Sequence, residues 1–314
     1  MESETPRDRT FREYLLLGMK GFCMGAADVV PGVSGGTMAF ILGIYQELIL
    51  SIRSVNVNFA RLFLSGRIKD AMGVVSWKFL VAVAAGVLLA IFTLAKILSY
   101  MLLEYPVWVW SFFFGLVLAS AAIICLEVGK WTVKVAAGIV FGTAFSFYLV
   151  GQLPVSTPET PWFLFISGAV AICAMILPGV SGAFVLVLLG KYQFVLDAVN
   201  HRDLFTLAVV ASGAVVGLMS FARILNWLFI KYRKMTIALL VGLMLGSLRK
   251  IWPWKRDIAI FNEDLSERIM VMQVNAWPQR FDFEVFIGVV LMMIGIVIVI
   301  SMKYMANTKS SEGK

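Results

Sequence analysis

Charged residues are scarce in this sequence: they make up 15% of its 314 residues, whereas 60% of the residues are hydrophobic. A soluble domain does not need so much apolar surface. The mean hydropathy of +0.88 also argues against a soluble domain. Cysteine is also rare. Cys23, Cys125 and Cys173 all lie in apolar stretches and lack the spacing of a metal site or a disulfide framework. These shortages predict a helical protein that crosses a membrane several times and holds no metal or cofactor.

The net charge of +8 does not indicate nucleic-acid binding, because most basic residues lie in short loops between apolar runs. Lysine and arginine in such loops orient a membrane protein and mark its cytoplasmic side. This rule places three basic loops in the cytoplasm, at 53–78, 127–134 and 231–234. The cation-free loop 152–161 and the charge-balanced segment 249–283 then lie outside. We therefore predict a multi-pass protein of the cytoplasmic membrane with both termini in the cytoplasm.

A short motif occurs twice, as VPGVSGGT from Val30 to Thr37 and as LPGVSGA from Leu177 to Ala183. Proline removes a backbone donor and Gly-Val-Ser-Gly contains poor helix formers, so each copy is expected to break an apolar helix. Broken backbone inside a membrane is tolerated only where protein or a water-filled cavity surrounds it. The two copies are therefore the best indication of a binding site in this sequence.

The motif belongs to a longer internal repeat, in which Gly21 matches Gly168, Tyr45 matches Tyr192 and Gly86 matches Gly213. Each half contains one re-entrant hairpin and three crossings, and an odd number of crossings inverts the second half. We predict an all-α polytopic membrane protein with an inverted-topology repeat. The first half, at 1–151, has a hairpin at 14–52 and spans at 79–103, 107–126 and 135–150; the second half, at 162–314, has a hairpin at 162–199 and spans at 204–230, 235–248 and 285–300.

Each motif begins a helix, so free N–H groups and the positive end of a helix dipole are expected near the membrane centre. Such an arrangement suits an anion, and phosphate is the simplest candidate. Ser34, Thr37 and Ser181 would add hydroxyl donors. The alternative is that the small residues serve only to let two hairpins cross closely.

Three charged residues in apolar surroundings are further candidates. Lys96 and Arg223 occupy equivalent positions in the two halves, and intramembrane cations are usually functional. Their alternative role is to extend along the helix toward the membrane surface. Asp28 precedes the first motif and would repel phosphate unless it is protonated, paired or bound to a cation. It is therefore our candidate for a coupling ion, a proton or sodium; a hydrogen bond to nearby backbone is the alternative.

The stretch GAADVVPGVSGGTMAFILGIY, from Gly25 to Tyr45, together with the later LPGVSGAF, resembles the polyprenyl-phosphate transporter family of bacterial inner membranes. The resemblance implies a translocase that returns undecaprenyl phosphate, the lipid carrier for cell-wall (peptidoglycan) synthesis, from the outer to the inner leaflet. It places the headgroup at the two motifs, beside Asp28. With the two cations added, the predicted phosphate-binding residues are Pro31, Gly32, Ser34, Gly35, Gly36, Thr37, Pro178, Gly179, Ser181, Gly182, Lys96 and Arg223. The second copy departs from the first, with Ala183 and Phe184 in place of Gly36 and Thr37, so the two copies do not offer the same groups to a headgroup.

Two other functions remain open from the sequence. A polyprenyl-pyrophosphate phosphatase family also has re-entrant hairpins and a similar turn, but there an arginine follows the serine and a glutamate pair supplies acid–base chemistry. Here Gly35 and Gly182 follow the serines, and no glutamate pair flanks either motif. The other alternative is a secondary transporter of a small soluble anion. We expect no enzymatic activity, and we expect a polyprenyl-phosphate lipid and the bilayer as partners.

Overall fold

A computed structural model describes residues 9–30, 33–55, 57–129, 131–260 and 270–312 of the chain. Within these ranges the protein is mostly helical. The elements, in chain order, are α1 (Phe11–Val29), α2 (Gly35–Ile41), α3 (Tyr45–Ser54), α4 (Val57–Leu64), α5 (Ile68–Val74), α6 (Trp77–Glu104), α7 (Pro106–Glu127), α8 (Val133–Leu149), α9 (Pro161–Ile176), α10 (Gly182–Leu188), α11 (Tyr192–Asn200), α12 (Leu204–Lys231), α13 (Arg233–Ser247), β1 (Lys255–Ile260), β2 (Met270–Asn275) and α14 (Phe283–Glu312).

Four helices among the described residues are long and apolar enough to cross a membrane: α6, α7, α12 and the Phe283–Tyr304 part of α14. Two further pairs, α2 with α3 and α10 with α11, satisfy the same criteria jointly but bend by 118° and 106°. Helices α8 and α9 are apolar but shorter. The prediction of a helical protein with several membrane-spanning segments is therefore confirmed.

The helices pack in close pairs at glycines. A Cβ atom on Gly86 of α6 would overlap the backbone of α1, and one on Gly213 of α12 would overlap the backbone of α9. Gly115 allows the same approach between α7 and α14, and Gly142 does so between α8 and α13. Small residues let helices approach closely where lipid removes the hydrophobic driving force for association. The main helix pairs are thus α1 with α6, α9 with α12, α7 with α14, and α8 with α13.

The segment after α13 contains two short strands, which the sequence analysis did not predict. Strands β1 and β2 pair antiparallel, with Lys255 opposite Asn275 and Ile260 opposite Met270. Their base is tied to the end of α13, because the Asn275 side chain donates to the Arg249 carbonyl over 2.8 Å. The Trp252 indole N–H donates over 2.9 Å to the carbonyl of Ala276, the residue after β2. These bonds fix the cations near the end of α13 relative to the helices.

Candidate functional site

The first motif separates α1 from α2, with Ser34 as the N-cap residue of α2. The Ser34 hydroxyl oxygen accepts a hydrogen bond from the backbone N–H of Gly36 over 3.1 Å. The backbone N–H of Gly35 donates to the Asp28 carboxylate over 2.6 Å. Pro31 and Gly32, two of the predicted phosphate-binding residues, lie outside the described residues.

The second motif separates α9 from α10 in a similar way. Ser181 is the N-cap residue of α10, and its hydroxyl oxygen accepts from the backbone N–H of Phe184 over 3.4 Å. Gly179 has φ of +87°, a conformation that residues with a side chain rarely adopt. Pro178 is fully buried beside it. The backbone break predicted at 178–182 therefore depends on glycine at position 179.

The two motifs contact each other in the interior. The Ser34 hydroxyl donates to the carbonyl of Met175 over 3.1 Å, just before the second motif. The backbone N–H of Gly179 donates to the Thr37 hydroxyl oxygen over 2.8 Å. Ser34 and Thr37 are each only 1% exposed. The structure thus brings together residues that the sequence analysis selected from opposite halves of the chain, and we call this contact the motif junction.

The backbone N–H groups of the motifs, which were expected to face a ligand, donate instead to acceptors of the protein. The N–H groups of Gly35, Gly36 and Gly179 bond to Asp28, Ser34 and Thr37, respectively. The contact of Asp28 is the local backbone bond that we considered as its alternative role. The assignment of phosphate to these residues, and of a coupling ion to Asp28, therefore stays a prediction.

Two cavities lie at opposite ends of α13. The larger, the Arg249 cavity, has a volume of about 820 Å³. It is formed by the ends of α8 and α13, the loop 150–154, one side of α10 and the base of the β1–β2 hairpin. The smaller, the Arg53 cavity, has a volume of about 370 Å³ and includes Arg53 of α3 and Arg233 at the start of α13. Since α13 has 15 residues, its ends are roughly 20 Å apart. The motif junction lies between them, because a Cβ on Gly179 would contact Leu243 and Met244 of α13.

The Arg249 cavity carries three cations whose contacts are with neutral groups. The Arg249 guanidinium donates to the Phe147 carbonyl over 2.9 Å and lies 4.3 Å from the centre of the Phe147 ring. The Lys250 ammonium lies 4.9 Å from the Phe184 ring centre. The Lys255 ammonium donates to the Lys250 carbonyl over 2.9 Å and lies 4.4 Å from the Trp110 ring centre. Among the described residues that line this cavity, none is Asp or Glu.

This arrangement disfavours the protonated, charged form of the two lysines in the cavity. Burial, together with the nearby Lys250 charge, lowers the pKa of Lys255 from 10.5 to about 8. Burial also lowers the pKa of Lys250. A bound anion would relieve both effects, since it supplies the opposite charge that the described lining lacks.

Lys96 and Arg223 are both exposed, and neither lines either of these two cavities. Their predicted role as phosphate ligands stays a prediction without support from the cavity geometry. The sequence analysis treated Arg249, Lys250 and Lys255 as part of a charge-balanced loop. A local signal for an anion site was nevertheless present in the sequence. These three cations lie within seven residues after the predicted span 235–248, before any acidic residue.

Comparison with known proteins gives matches over most of the chain. A family described as undecaprenyl phosphate translocase-like matches residues 24–269. A protein of Vibrio cholerae serotype O1, named polyprenyl-phosphate transporter, is 39% identical over 302 residues, which cover 94% of this chain and 97% of that protein. A protein of Staphylococcus aureus with the same name is 31% identical over 254 residues, 75% of this chain and 85% of that protein. No solved structure matches the chain.

Proposed function

The chain belongs to the undecaprenyl phosphate translocase-like family, and on this premise we propose that it carries undecaprenyl phosphate across the bacterial cytoplasmic membrane. The lipid carrier would thereby be recycled for cell-wall polymer synthesis. Both relatives described above are named transporters, which supports transport rather than an enzymatic reaction. The observation that carries the proposal is the motif junction: two broken helices from opposite halves meet in the interior, between basic cavities at the two ends of α13.

We propose that the fold is an inverted-topology repeat, with halves at 1–151 and 162–314, each containing one re-entrant hairpin and three crossings. The pattern of helix packing supports this. The pair α1–α6 corresponds to α9–α12, and the pair α7–α14 corresponds to α13–α8 with the two halves exchanged. A two-fold relation between the halves produces such an exchange. The positions of the basic loops favour cytoplasmic termini, and in this proposed orientation the Arg249 cavity faces outward.

The two ends of this proposed pathway differ in packing. Tyr45 is 2% exposed and makes an edge-to-face contact with Phe229, with ring centres 6.0 Å apart, beside the Arg53 cavity. Its repeat equivalent Tyr192, on the opposite side, is 44% exposed. This tyrosine is therefore packed more tightly in the first half than in the second. In the proposed orientation, the larger Arg249 cavity would be the entry for lipid from the outer leaflet.

In the proposed mechanism the phosphate headgroup passes the motif junction while the polyprenyl tail remains in lipid. A bare phosphate in hydrocarbon is prohibitively costly, so donors must replace its water. The backbone N–H groups and hydroxyls at the junction can supply them once they exchange protein acceptors for phosphate oxygens. Asp28 holds the Gly35 N–H in the present state and would be the first acceptor to be displaced.

Reconstitution tests the proposed function directly. Liposomes containing the full-length protein and a fluorescent undecaprenyl phosphate are expected to equalise the label between leaflets faster than protein-free liposomes, as followed with a membrane-impermeant quencher. Labelled undecaprenol, which lacks the phosphate, is the control and should not move faster. Uptake of free phosphate without lipid movement, or phosphate release from the diphosphate lipid, would contradict the proposal.

Replacement Asp28→Asn tests the proposed coupling. An amide oxygen can still accept from the Gly35 N–H, so the fold and the lipid movement should persist. If Asp28 binds the coupling proton or sodium ion, transport in the variant should no longer respond to a pH or sodium gradient. Asp203→Asn, at the N-cap of α12, is the matched control and should keep the wild-type response. An equal gradient dependence in the wild type and Asp28→Asn excludes the coupling role.

A further inference from the structure

We propose that the Arg249 cavity is a docking site for a phosphate monoester that carries an apolar tail. The proposal rests on the proposed function and adds to it a site outside the two sequence motifs. It assigns the cavity to the capture of the headgroup before the headgroup reaches the motif junction. Arg249, Lys250 and Lys255 are the binding residues.

The excess of positive charge in the cavity indicates that it binds an anion. Its three cations make hydrogen bonds to backbone carbonyls and lie over aromatic rings, and none of the described lining residues supplies a carboxylate. Half-buried cations without an opposite charge repel one another and lose hydration. A phosphate dianion would accept charge-assisted hydrogen bonds from them, which are stronger than the bonds to neutral carbonyls.

The shape of the cavity indicates an amphiphile. The amides of Gln152, Gln273 and Asn275 lie in its wall and can add donors for phosphate oxygens. Apolar side chains form another part of the wall, among them Val150 and Leu153. At about 820 Å³, the cavity is far larger than a phosphate group needs and has the size typical of small-molecule sites. Phosphate at the cations leaves room for the first units of an apolar tail.

The cavity lies next to the motif junction. Phe184, whose ring faces the Lys250 ammonium, donates its backbone N–H to Ser181, the N-cap residue in the second motif. The backbone positions of Ser181 and Phe184 are therefore about one helical turn apart, roughly 5 Å along α10. A headgroup held by Lys250 would be a short step from the junction.

Equilibrium binding to the purified full-length protein in detergent tests the site, with farnesyl phosphate as the probe. We expect Arg249→Gln, Lys250→Gln and Lys255→Gln each to weaken binding about tenfold, because each removes one charge-assisted bond. Lys134→Gln, an exposed cation that does not line the cavity, is the matched control and should bind as the wild type does. Lys255→Arg keeps the charge and should restore most of the affinity.

The choice of probe separates the possible sources of the phosphate group. Farnesol should not compete, and inorganic phosphate should bind at least about tenfold more weakly, because it lacks the tail that contacts the apolar wall. Equal affinity for farnesyl phosphate and inorganic phosphate would overturn the amphiphile assignment. Unchanged affinity in all three glutamine variants would overturn the site itself.

The pH dependence gives a second measurement. Between about pH 7.5 and 9 the monoester is already doubly charged, while Lys255 loses its proton near pH 8. Affinity should therefore fall as the pH rises through 8, since Arg249 and Lys250, the other two cations of the lining, would then face the anion alone. This decrease should be smaller in Lys255→Gln than in the wild type. An equal decrease in both proteins would contradict the role of Lys255.

The reconstituted transport assay distinguishes failure of this site from failure of the proposed function. If the site is used, Lys250→Gln should raise the lipid concentration for half-maximal transport about tenfold while the maximal rate changes less than about twofold. A wild-type protein that moves lipid, with variants of unchanged half-saturation, would overturn only the docking site. A wild-type protein that binds farnesyl phosphate through the three cations but moves no lipid would overturn only the transport.

Discussion

Replacement Gly36→Val is expected to reduce lipid transport about ten- to hundredfold. A Cβ at position 36 would lie 2.5 Å from the carbonyl oxygen of Ile176 and 3.0 Å from that of Met175. Both are backbone atoms at the end of α9, so no flexible side chain can move aside. Forcing extra atoms into such a contact costs about 1–3 kcal/mol, and each 1.4 kcal/mol is a factor of ten in an equilibrium. The wedge would separate the two motifs, and fluorescent-lipid movement in proteoliposomes measures the loss.

The matched control for this prediction is Gly73→Val in α5. An added Cβ at Gly73 meets no heavy atom within 4 Å, so this variant should transport as the wild type does. Farnesyl phosphate binding at the Arg249 cavity provides a folding check, because a correctly folded Gly36→Val protein should retain it. Wild-type transport by Gly36→Val would show that the motif junction is not part of the pathway.

The helices were largely predictable because long apolar runs leave few alternatives. The predicted spans 79–103 and 204–230 correspond to α6 and α12, whose bounds differ from them by at most two residues. The proline-glycine motifs also separate α1 from α2 and α9 from α10. The bends of 118° and 106° lie later in the chain, at Gly43 between α2 and α3 and at Gly190 between α10 and α11. Such features are local in sequence, since hydrophobicity and backbone restrictions act over a few residues.

The hydrogen-bond partners of the motif residues could not be predicted from local sequence. The bonds of Ser34 to Met175 and of Gly179 to Thr37 join residues about 140 positions apart, so they depend on how the two halves pack. The Arg249 cavity also depends on tertiary contacts, because α8, α10, α13 and the β1–β2 hairpin converge there. In the sequence, the same cations look like an ordinary loop with mixed charge.

The internal repeat also hides a difference between the halves. Tyr45 and Tyr192 occupy equivalent positions, yet the first is buried against Phe229 and the second is exposed. Phe229 belongs to the second half, and its equivalent in the first half is Leu102. A repeated sequence predicts a two-fold relation between the halves, but it does not fix how each equivalent side chain packs. The different exposure of these two tyrosines could therefore not be obtained from an alignment of the halves.

Replacement Thr37→Val is expected to reduce transport about ten- to hundredfold with little change in side-chain volume. The variant removes the hydroxyl that accepts from the Gly179 N–H and leaves this donor unpaired in the interior. An unsatisfied buried donor costs about 1–3 kcal/mol. The second half cannot compensate, because Phe184 occupies the position equivalent to Thr37 and its ring offers no hydroxyl.

Two variants separate this hydrogen bond from general effects of the substitution. Thr37→Ser keeps the hydroxyl and should transport within about threefold of the wild type, since it loses only a methyl group. Thr236→Val removes another buried hydroxyl, one that bonds within its own helix to the Tyr232 carbonyl, and should leave transport nearly unchanged. If Thr37→Val and Thr236→Val transport equally well, the bond between the motifs is not needed for lipid movement. A loss confined to Thr37→Val, with recovery in Thr37→Ser, ties transport to the contact between the two halves.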